Sequence, residues 1–269
     1  RNGEYIVYEC GTDLWMVGTR EGSKPRKLAI EVNADETFNN EQVKTFTNSA
    51  SEFAVSADEK FFAFVLNGKL FRSPVSGTTS KPVQMTTGAS MDHSPRWAPD
   101  GSRIVFLSDR DGYENIYLLE PNDPEHPKLV EAHQFKITQL TTTKEPESGL
   151  SFSPDGKKIA FLRDGKLFTM NPDGKELKEV VKDVQVFDYE WSPDSRWFIF
   201  ARRDGSFASE LYAVPATGAT EKEPIRNLTR YSTFNGGVTW SQNGKQIAFL
   251  SERRGTGSLY VMDLEAPPA

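Results

Sequence analysis

Short apolar segments separated by polar turns recur along this chain, and one phrase is repeated: a Ser-Pro-Asp-Gly-type turn followed by an apolar strand. The clearest copies are the turns at 153–156 and 192–195, which precede apolar segments at 158–161 and 197–200. Proline presets φ, aspartate bonds back to the backbone and glycine accepts a positive φ, so each copy predicts a tight turn. The β-branched and aromatic residues that follow predict a strand. The remaining copies are at 2–3, 56–59, 98–101 and 241–244.

The Asp or Asn of each turn marks the spacing of the repeat. Successive markers are 56, 42, 55, 39 and 49 residues apart, and the short steps match a propeller blade of about 40–45 residues. The longer steps carry polar inserts, such as 33–44 and 120–136. Each unit reads as four short strands separated by turn signals, and no long window has helical spacing free of Gly or Pro. The markers are Asn2, Asp58, Asp100, Asp155, Asp194 and Asn243.

Four-stranded sheets cover their apolar faces when they are arranged radially, because each sheet then packs on its neighbours. We therefore predict an all-β fold, a β-propeller of about six four-stranded antiparallel blades. The first and last units each read as lacking one strand, which leaves open whether the chain is a fragment of a longer one. Residues 33–44 are predicted to be a junction, or a boundary between two propellers. The predicted blades are 1–32, 45–87, 88–142, 143–183, 184–230 and 231–269.

An aromatic residue stands near the end of the first strand in five of these units. We expect each of these side chains to wedge between neighbouring blades, because a large apolar ring fills the space where two sheets meet. The five residues are Phe53, Trp97, Phe152, Trp191 and Trp240.

Composition narrows the classes of partner. The chain has 32 basic and 38 acidic side chains, a net charge of -6, with basic residues scattered singly or in pairs, which argues against nucleic acid. The longest apolar run, Phe61–Leu66, is too short to span a bilayer. Cys10 stands alone, so it forms no disulfide within the chain and leaves the compartment open.

The sequence indicates no catalytic residues. There is no G-x-S-x-G elbow, and His93 is expected to bond locally at a blade entrance. His126 and His133, with Glu125 and Glu131 nearby, lie in the proline-containing insert. Their spacing fits no familiar metal motif, so we interpret this segment as an exposed loop and predict neither a metal nor a cofactor.

The candidate binding residues stand just before or at the beginning of the first strand of each unit, six to eight residues before the marker. In a propeller these strands line the channel, so their polar side chains would converge on one mouth, which could bind or filter a charged peptide or a cation. The alternative is a solvated rim that binds nothing. The predicted mouth residues are Glu52, Asp92, His93, Glu147, Asp188 and Asn235.

With these residues in view, the repeats resemble the Ser-Pro-Asp-Gly propeller repeats of TolB and of tricorn-type serine peptidases, whereas the WD-repeat signature is absent. Residues 31–56 are similar to the junction between two propellers in tricorn-type peptidases, and Asp92–Trp97 and Phe187–Trp197 are similar to the blades that follow it. In that family the catalytic Ser and His lie outside the blades, in a peptidase domain that follows a PDZ-like module. No residue here inherits a catalytic role, and whether the chain is part of an enzyme stays open.

The resemblance implies a non-catalytic propeller that gates or docks peptides for a peptidase domain. The alternative is a stand-alone TolB-like scaffold that binds a protein partner, and a third hypothesis is an enzyme with its site in the channel. Expected partners are a peptide or protein, a downstream PDZ or peptidase domain, or a second copy of the chain, without nucleic acid or membrane insertion. The family-level expectation for location is periplasmic or otherwise extracytoplasmic, with the cytoplasm as the alternative.

Overall fold

The structure is a computed structural model that describes residues 3–10, 13–29, 50–76, 81–182, 185–203, 208–230 and 233–264. All regular structure in these residues is β-strand, arranged in six antiparallel sheets of three or four strands. The predicted all-β class is confirmed. The chain divides into two compact units, Arg1–Thr47 and Asn48–Ala269. The predicted junction at 33–44 lies outside the described residues, and the predicted blade limits stay predictions.

The first unit contains one described sheet, sheet 1. Its strands are β1 (Tyr5–Cys10), β2 (Asp13–Gly18) and β3 (Arg26–Lys27), joined in chain order.

The second unit contains five sheets, and each is a meander in which strands adjacent in sequence are paired. Sheet 2 contains β4 (Ala50–Val55), β5 (Phe61–Leu66), β6 (Lys69–Pro74) and β7 (Val83–Gln84), and sheet 3 contains β8 (Asp92–Trp97), β9 (Ile104–Ser108), β10 (Asn115–Pro121) and β11 (Phe135–Gln139). Sheet 4 contains β12 (Glu147–Phe152), β13 (Ile159–Arg163), β14 (Lys166–Met170) and β15 (Lys178–Glu179), and sheet 5 contains β16 (Val186–Trp191), β17 (Trp197–Arg203), β18 (Ser209–Pro215) and β19 (Arg226–Asn227). Sheet 6 contains β20 (Asn235–Trp240), β21 (Gln246–Ser251) and β22 (Ser258–Asp263).

The repeated turn joins the first and second strands of each sheet in the second unit. In sheet 4, Ser153 Oγ donates to the Asp155 carboxylate at 2.7 Å and accepts the Lys158 amide at 2.9 Å. The Gly156 amide donates to the Ser153 carbonyl at 2.8 Å, with Gly156 at φ +71. The left-handed conformation of this last turn residue explains why glycine usually occupies it.

The apolar core lies between neighbouring sheets, and both faces of the second strands of sheets 3, 4 and 5 (β9, β13 and β17) are buried. In β9, Ile104 and Phe106 pack toward sheet 2, whereas Val105 and Leu107 pack toward sheet 4. Because side chains alternate across a strand, a strand covered on both faces must be apolar at every position. This explains the continuous apolar runs in the sequence.

The predicted aromatic wedges are present where two sheets of the second unit meet. Trp97 is buried and donates from Nε1 to the Ala54 carbonyl of sheet 2 at 3.0 Å. Trp191 is also buried and donates to Ser151 Oγ of sheet 4 at 3.1 Å. The prediction is wrong for Phe53, whose side chain is 70% exposed. Phe53 lies two residues too early, and Val55 stands where the other sheets have their aromatic residue.

Candidate functional site

The first strands of the five sheets, β4, β8, β12, β16 and β20, carry all six predicted mouth residues. Within the second unit β8 lies beside both β4 and β12, and β16 lies beside β20. Sheets 4 and 5 are linked by a 2.9 Å hydrogen bond between the hydroxyls of Ser151 and Tyr189. We call the surface made by these five strands the first-strand surface.

Each first strand has an irregular register near its beginning. In three of them the residue six positions before the marker has a positive φ: Ser94 at +52, Gly149 at +63 and Gly237 at +58. A bulge of this kind turns a backbone amide out of its own ladder. The freed amides of Ser94 and Gly237 donate to the Glu52 carboxylate at 2.7 Å and to the Asp188 carboxylate at 2.9 Å.

Glu52 and Asp188, two of the predicted mouth residues, therefore link neighbouring sheets through these bulges. Both side chains are half-buried on the first-strand surface. Each carboxylate uses one oxygen for the link, which orients the side chain on the surface.

The first residues of β8, β12 and β20 stand eight positions before the marker and are all buried. They are Asp92, Glu147 and Asn235. Asp92 Oδ1 accepts hydrogen bonds from Ser108 Oγ at 2.6 Å and Arg110 Nη2 at 2.9 Å. The Asn235 side-chain amide donates to the Ser209 carbonyl at 2.6 Å. The structure thus separates these three from the surface on which Glu52 and Asp188 lie: Asp92 turns toward Ser108 and Arg110 of its own sheet, whereas Asn235 bonds to Ser209 of the neighbouring sheet 5.

Glu147 repeats the arrangement of Asp92 in the next sheet. Its Oε2 accepts from Thr141 Oγ1 at 2.6 Å, and its Oε1 accepts from Arg163 Nε and Nη2 at 3.0 and 2.8 Å. The Arg163 guanidinium also lies over the rings of Phe161 and Phe168, 5.4 and 5.1 Å from their centroids. Acid, guanidinium and aromatic pair form one buried assembly.

Burial and hydrogen bonding act in opposite directions on the pKa values of Asp92 and Glu147, and the net shifts have opposite signs. Burial acts to raise the pKa of Asp92, but hydrogen bonds from Ser108 and Thr86 and the Arg110 charge outweigh it and hold this pKa below its usual value. At Glu147 burial prevails over the hydrogen bonds from Thr141 and Arg163, and the pKa is raised.

His93 lies in a short chain of polar side chains. Its Nδ1 is 3.1 Å from Ser94 Oγ, and its Nε2 is 2.8 Å from Glu114 Oε2. The composition is that of a hydrolase triad, but a nucleophile also needs amide donors for the developing oxyanion. The amide of Ser94 is already bonded to Glu52, so the cluster is better explained as a local link, as the sequence predicts for His93.

Sequence reasoning missed two charged residues on the first-strand surface, Arg96 and Glu190. Both stand four residues before a marker and both are exposed. The Glu190 side chain reaches solvent, but surrounding protein atoms remove part of its hydration. This partial desolvation and the nearby Asp188 charge raise the pKa of Glu190 to about 7. The alternation of side chains along a strand could have revealed these two residues. With the bulges taken into account, the residue four positions before a marker lies on the same face as Glu52 and Asp188, which stand six positions before one.

Two clefts lie where the repeated turns of neighbouring sheets meet. One, of 740 Å³, is lined by the turns at 56–58 and 99–103 and by Pro127–Val130 of the β10–β11 insert. The other, of 550 Å³, is lined by the turns at 192–194 and 242–245 and by the rings of Trp197 and Trp240. The insert covers part of the first cleft and has no counterpart in the lining of the second.

Among the described residues, the potential metal ligands that converge are Asp123, His126 and His133, all in this insert. The sequence predicts an exposed loop for this segment, because the spacing of the two histidines matches no short motif. The folded insert nevertheless brings their rings to a centroid distance of 5.1 Å.

Comparisons with known proteins agree on the architecture. No family model matches the chain. A Tol-Pal system protein TolB from Francisella tularensis is 26% identical over 176 residues, which is 63% of this chain and 37% of the relative. The resemblance to TolB-type propellers is confirmed. The chain spans about a third of the length of the curated relatives it matches.

Solved structures show the same fold. A putative TolB from Agrobacterium tumefaciens has a TM-score of 0.57 and 20% identity, covering 79% of this chain and 77% of its own. The tricorn protease has a TM-score of 0.57 and 13% identity, covering 97% of this chain and 26% of its own. The β-propeller prediction is thereby confirmed. No helix among the described residues has the length and apolar character needed to cross a bilayer.

Proposed function

We propose that this chain is a non-catalytic propeller module that docks an extended, positively charged peptide segment of a protein partner on its first-strand surface. The observation that carries the proposal is the exposed charge there: Glu52, Asp188 and Glu190 lie on one surface with a single arginine, Arg96. Above about pH 7, where Glu190 is ionised, three carboxylates face one guanidinium, which favours a cationic segment. Glu52 and Asp188 are held in place by their bonds to the bulge amides, which lowers the cost of ordering them on binding.

An extended peptide suits this surface better than a compact ligand does. The first strands present a row of small and polar side chains, including Ser151 and Thr239, between the charged positions. A peptide backbone offers donors and acceptors at a similar period, and its basic side chains would pair with Asp188 and Glu190.

The likeness to TolB supports a scaffold that binds a protein partner, and it supports an extracytoplasmic location as part of the same proposal. The likeness to the tricorn protease supports a second candidate, in which the docked peptide passes to a peptidase domain encoded beyond this sequence. Docking on the first-strand surface is common to both candidates. The full reading frame distinguishes them, since the second requires a peptidase domain in the same chain or complex.

The docking proposal is tested by fluorescence anisotropy at pH 8, where Glu190 is ionised, with labelled lysine-rich and glutamate-rich peptides of equal length. Wild-type protein should bind the lysine-rich peptide more tightly, and the combined change Asp188→Asn with Glu190→Gln should weaken that binding at least about fivefold, or about 1 kcal/mol. Asn at 188 can still accept the Gly237 amide, so the sheets stay linked.

The matched control is Glu221→Gln with Glu223→Gln, which removes the same charge from the exposed β18–β19 connection. It should bind like wild type. If both double variants lose affinity equally, only net charge matters and the first-strand surface is not the site. No preference between the two peptides in the wild type would also refute the proposal.

A further inference from the structure

The insert between β10 and β11, residues 122–134, is a folded loop with its own internal bonds. The Asn122 amide donates to the Gln134 carbonyl at 2.8 Å and closes its base. Leu129 and Ala132 are buried, and Arg72 Nη2 donates to the Ala132 carbonyl at 2.7 Å. The loop is therefore anchored to the sheets at one side, and any side chains that it gathers are held in a defined arrangement.

Asp123 is the centre of this arrangement, and its side chain is only 10% exposed. Its Oδ1 accepts the amides of Glu125 and His126 at 3.2 and 3.3 Å, and its Oδ2 accepts the amide of His133 at 3.0 Å. These amides therefore hold both oxygens of the carboxylate in a defined orientation.

Two imidazoles turn toward the same carboxylate oxygen. The Nδ1 atoms of His126 and His133 lie 3.3 and 3.7 Å from Asp123 Oδ2. Ligand atoms from the three residues all lie within 4.8 Å of one another. The backbone amides alone would hold the Asp123 carboxylate in the loop; in addition, the His126 ring hydrogen-bonds to Oδ2 and the His133 ring lies near the same oxygen.

This donor set and these distances suit a first-row divalent cation. Two imidazole nitrogens and one carboxylate are the ligands of many zinc sites, at about 2.0–2.2 Å from the metal. Tetrahedral geometry at those bond lengths separates neighbouring ligand atoms by about 3.3 Å. The Asp123–His126 separation already has that value, and His133, 3.7 Å from the same oxygen, would have to move closer to complete the site. Both histidines are solvent-accessible, which leaves the fourth position to water.

We propose that Asp123, His126 and His133 bind one Zn²⁺ ion per chain. The backbone amides on Asp123 serve as the outer hydrogen bonds that orient a ligating carboxylate. The ion would join the two ends of the insert and fix Pro127–Val130 along the 740 Å³ cleft. This site is separate from the first-strand surface and does not depend on the proposed docking function.

The experiment is isothermal titration of tag-free protein with Zn²⁺ at neutral pH. Wild type should bind one ion per chain. His126→Gln and His133→Gln should each weaken binding at least about tenfold, and the double variant should remove it. Both side chains are at least partly exposed, so the variants should fold, which circular dichroism checks. Asp123→Asn keeps one acceptor oxygen, which can still hold the Glu125 and His126 amides, but it loses the acceptor of the His133 amide and the charge, and it should also weaken binding.

The third histidine provides the matched control. His93 bonds to Ser94 and Glu114 outside the insert, so His93→Gln should retain wild-type affinity. Amide chemical shifts on adding Zn²⁺ should change mainly within 122–134. Absence of stoichiometric binding, wild-type affinity in the His126/His133 double variant, or an equal loss in His93→Gln would each overturn the assignment.

Discussion

The carboxylate of Glu52 accepts the backbone amide of Ser94 at 2.7 Å, and this bond joins sheet 2 to sheet 3. The donor is free because Ser94 sits in a bulge with φ +52. Asp188 and Gly237 form the same link between sheets 5 and 6. An irregularity within one strand thus provides a specific contact for the next sheet, and it fixes the position of a carboxylate on the first-strand surface.

Removing the Glu52 carboxylate should weaken this junction. We expect Glu52→Ala to lower the free energy of unfolding by about 1–2 kcal/mol, because a hydrogen bond to a charged acceptor is lost and the Ser94 amide is left without it. Glu52→Gln keeps an acceptor and should cost about half as much. Urea unfolding measures both. The control Glu145→Ala, at an exposed turn position, should change the free energy by less than about 0.5 kcal/mol. Equal effects at 52 and 145 would contradict the role of the link.

Glu147 and Arg163 should show strong energetic coupling. Glu147→Ala leaves the Arg163 guanidinium, 13% exposed, without its carboxylate, and should cost about 3 kcal/mol. Replacing both residues with leucine should cost less than Glu147→Ala alone, because no charge is then left unpaired. A double-mutant cycle by chemical denaturation measures the coupling. Additive single effects would show that the pair does not act as one unit.

The repeated turn predicts opposite effects of two exchanges at the same turn position. Gly101 has φ +69 and open space around its missing Cβ, so Gly101→Ala should cost about 1 kcal/mol through backbone strain alone. Glu59 occupies the equivalent position at φ +57. Glu59→Gly should stabilise the protein by about 0.5 kcal/mol, since relief of strain exceeds the added flexibility of the unfolded chain. Thermal unfolding tests both, and the same sign for the two exchanges would refute the explanation.

Glu190 should make stability depend on pH. Its pKa rises from 4.5 to about 7 on folding, so the stability associated with its protonated form is complete below about pH 4.5 and is lost as the pH rises through about 7. Glu190→Gln should therefore be more stable than wild type at pH 8 by about 1 kcal/mol, a value reduced for solvent screening. At pH 4 the two proteins should unfold alike. A difference that does not change with pH would contradict the shift.

The repeat phase was enough to predict the strands and turns, because apolar runs and Pro-Asp-Gly signals depend on local geometry. It was not enough to predict the exposure of Phe53. The turn in sheet 2 lacks proline and glycine, and Phe53 lies two residues earlier in its strand than the buried aromatic residues of the other sheets. The bulges were also missed. Ser94 looks like an ordinary strand residue, and only the pairing with β9 shows that it interrupts the ladder.

Predicting which polar residues share a surface was harder. Asp92 and Glu147 were placed at the mouth because they begin their strands, but each turns into its sheet toward an arginine at or just beyond the end of the second strand. The charges of Arg110 and Arg163 were visible in the sequence and could have suggested these pairs. The convergence of His126 and His133 depends on how the insert folds around Asp123, and residue spacing alone does not encode that.

The cores shared between neighbouring sheets have a consequence for how the second unit opens. Sheets 3, 4 and 5 pack on another sheet of this unit at both faces, whereas in sheet 6 the side chains of Leu259 and Val261 are 69% and 64% exposed. Cooperativity in such an array passes only from neighbour to neighbour. Amide protons of β9, β13 and β17 should therefore exchange with deuterium most slowly, and those of β21 and β22 should report a smaller, local opening that does not involve the middle of the unit.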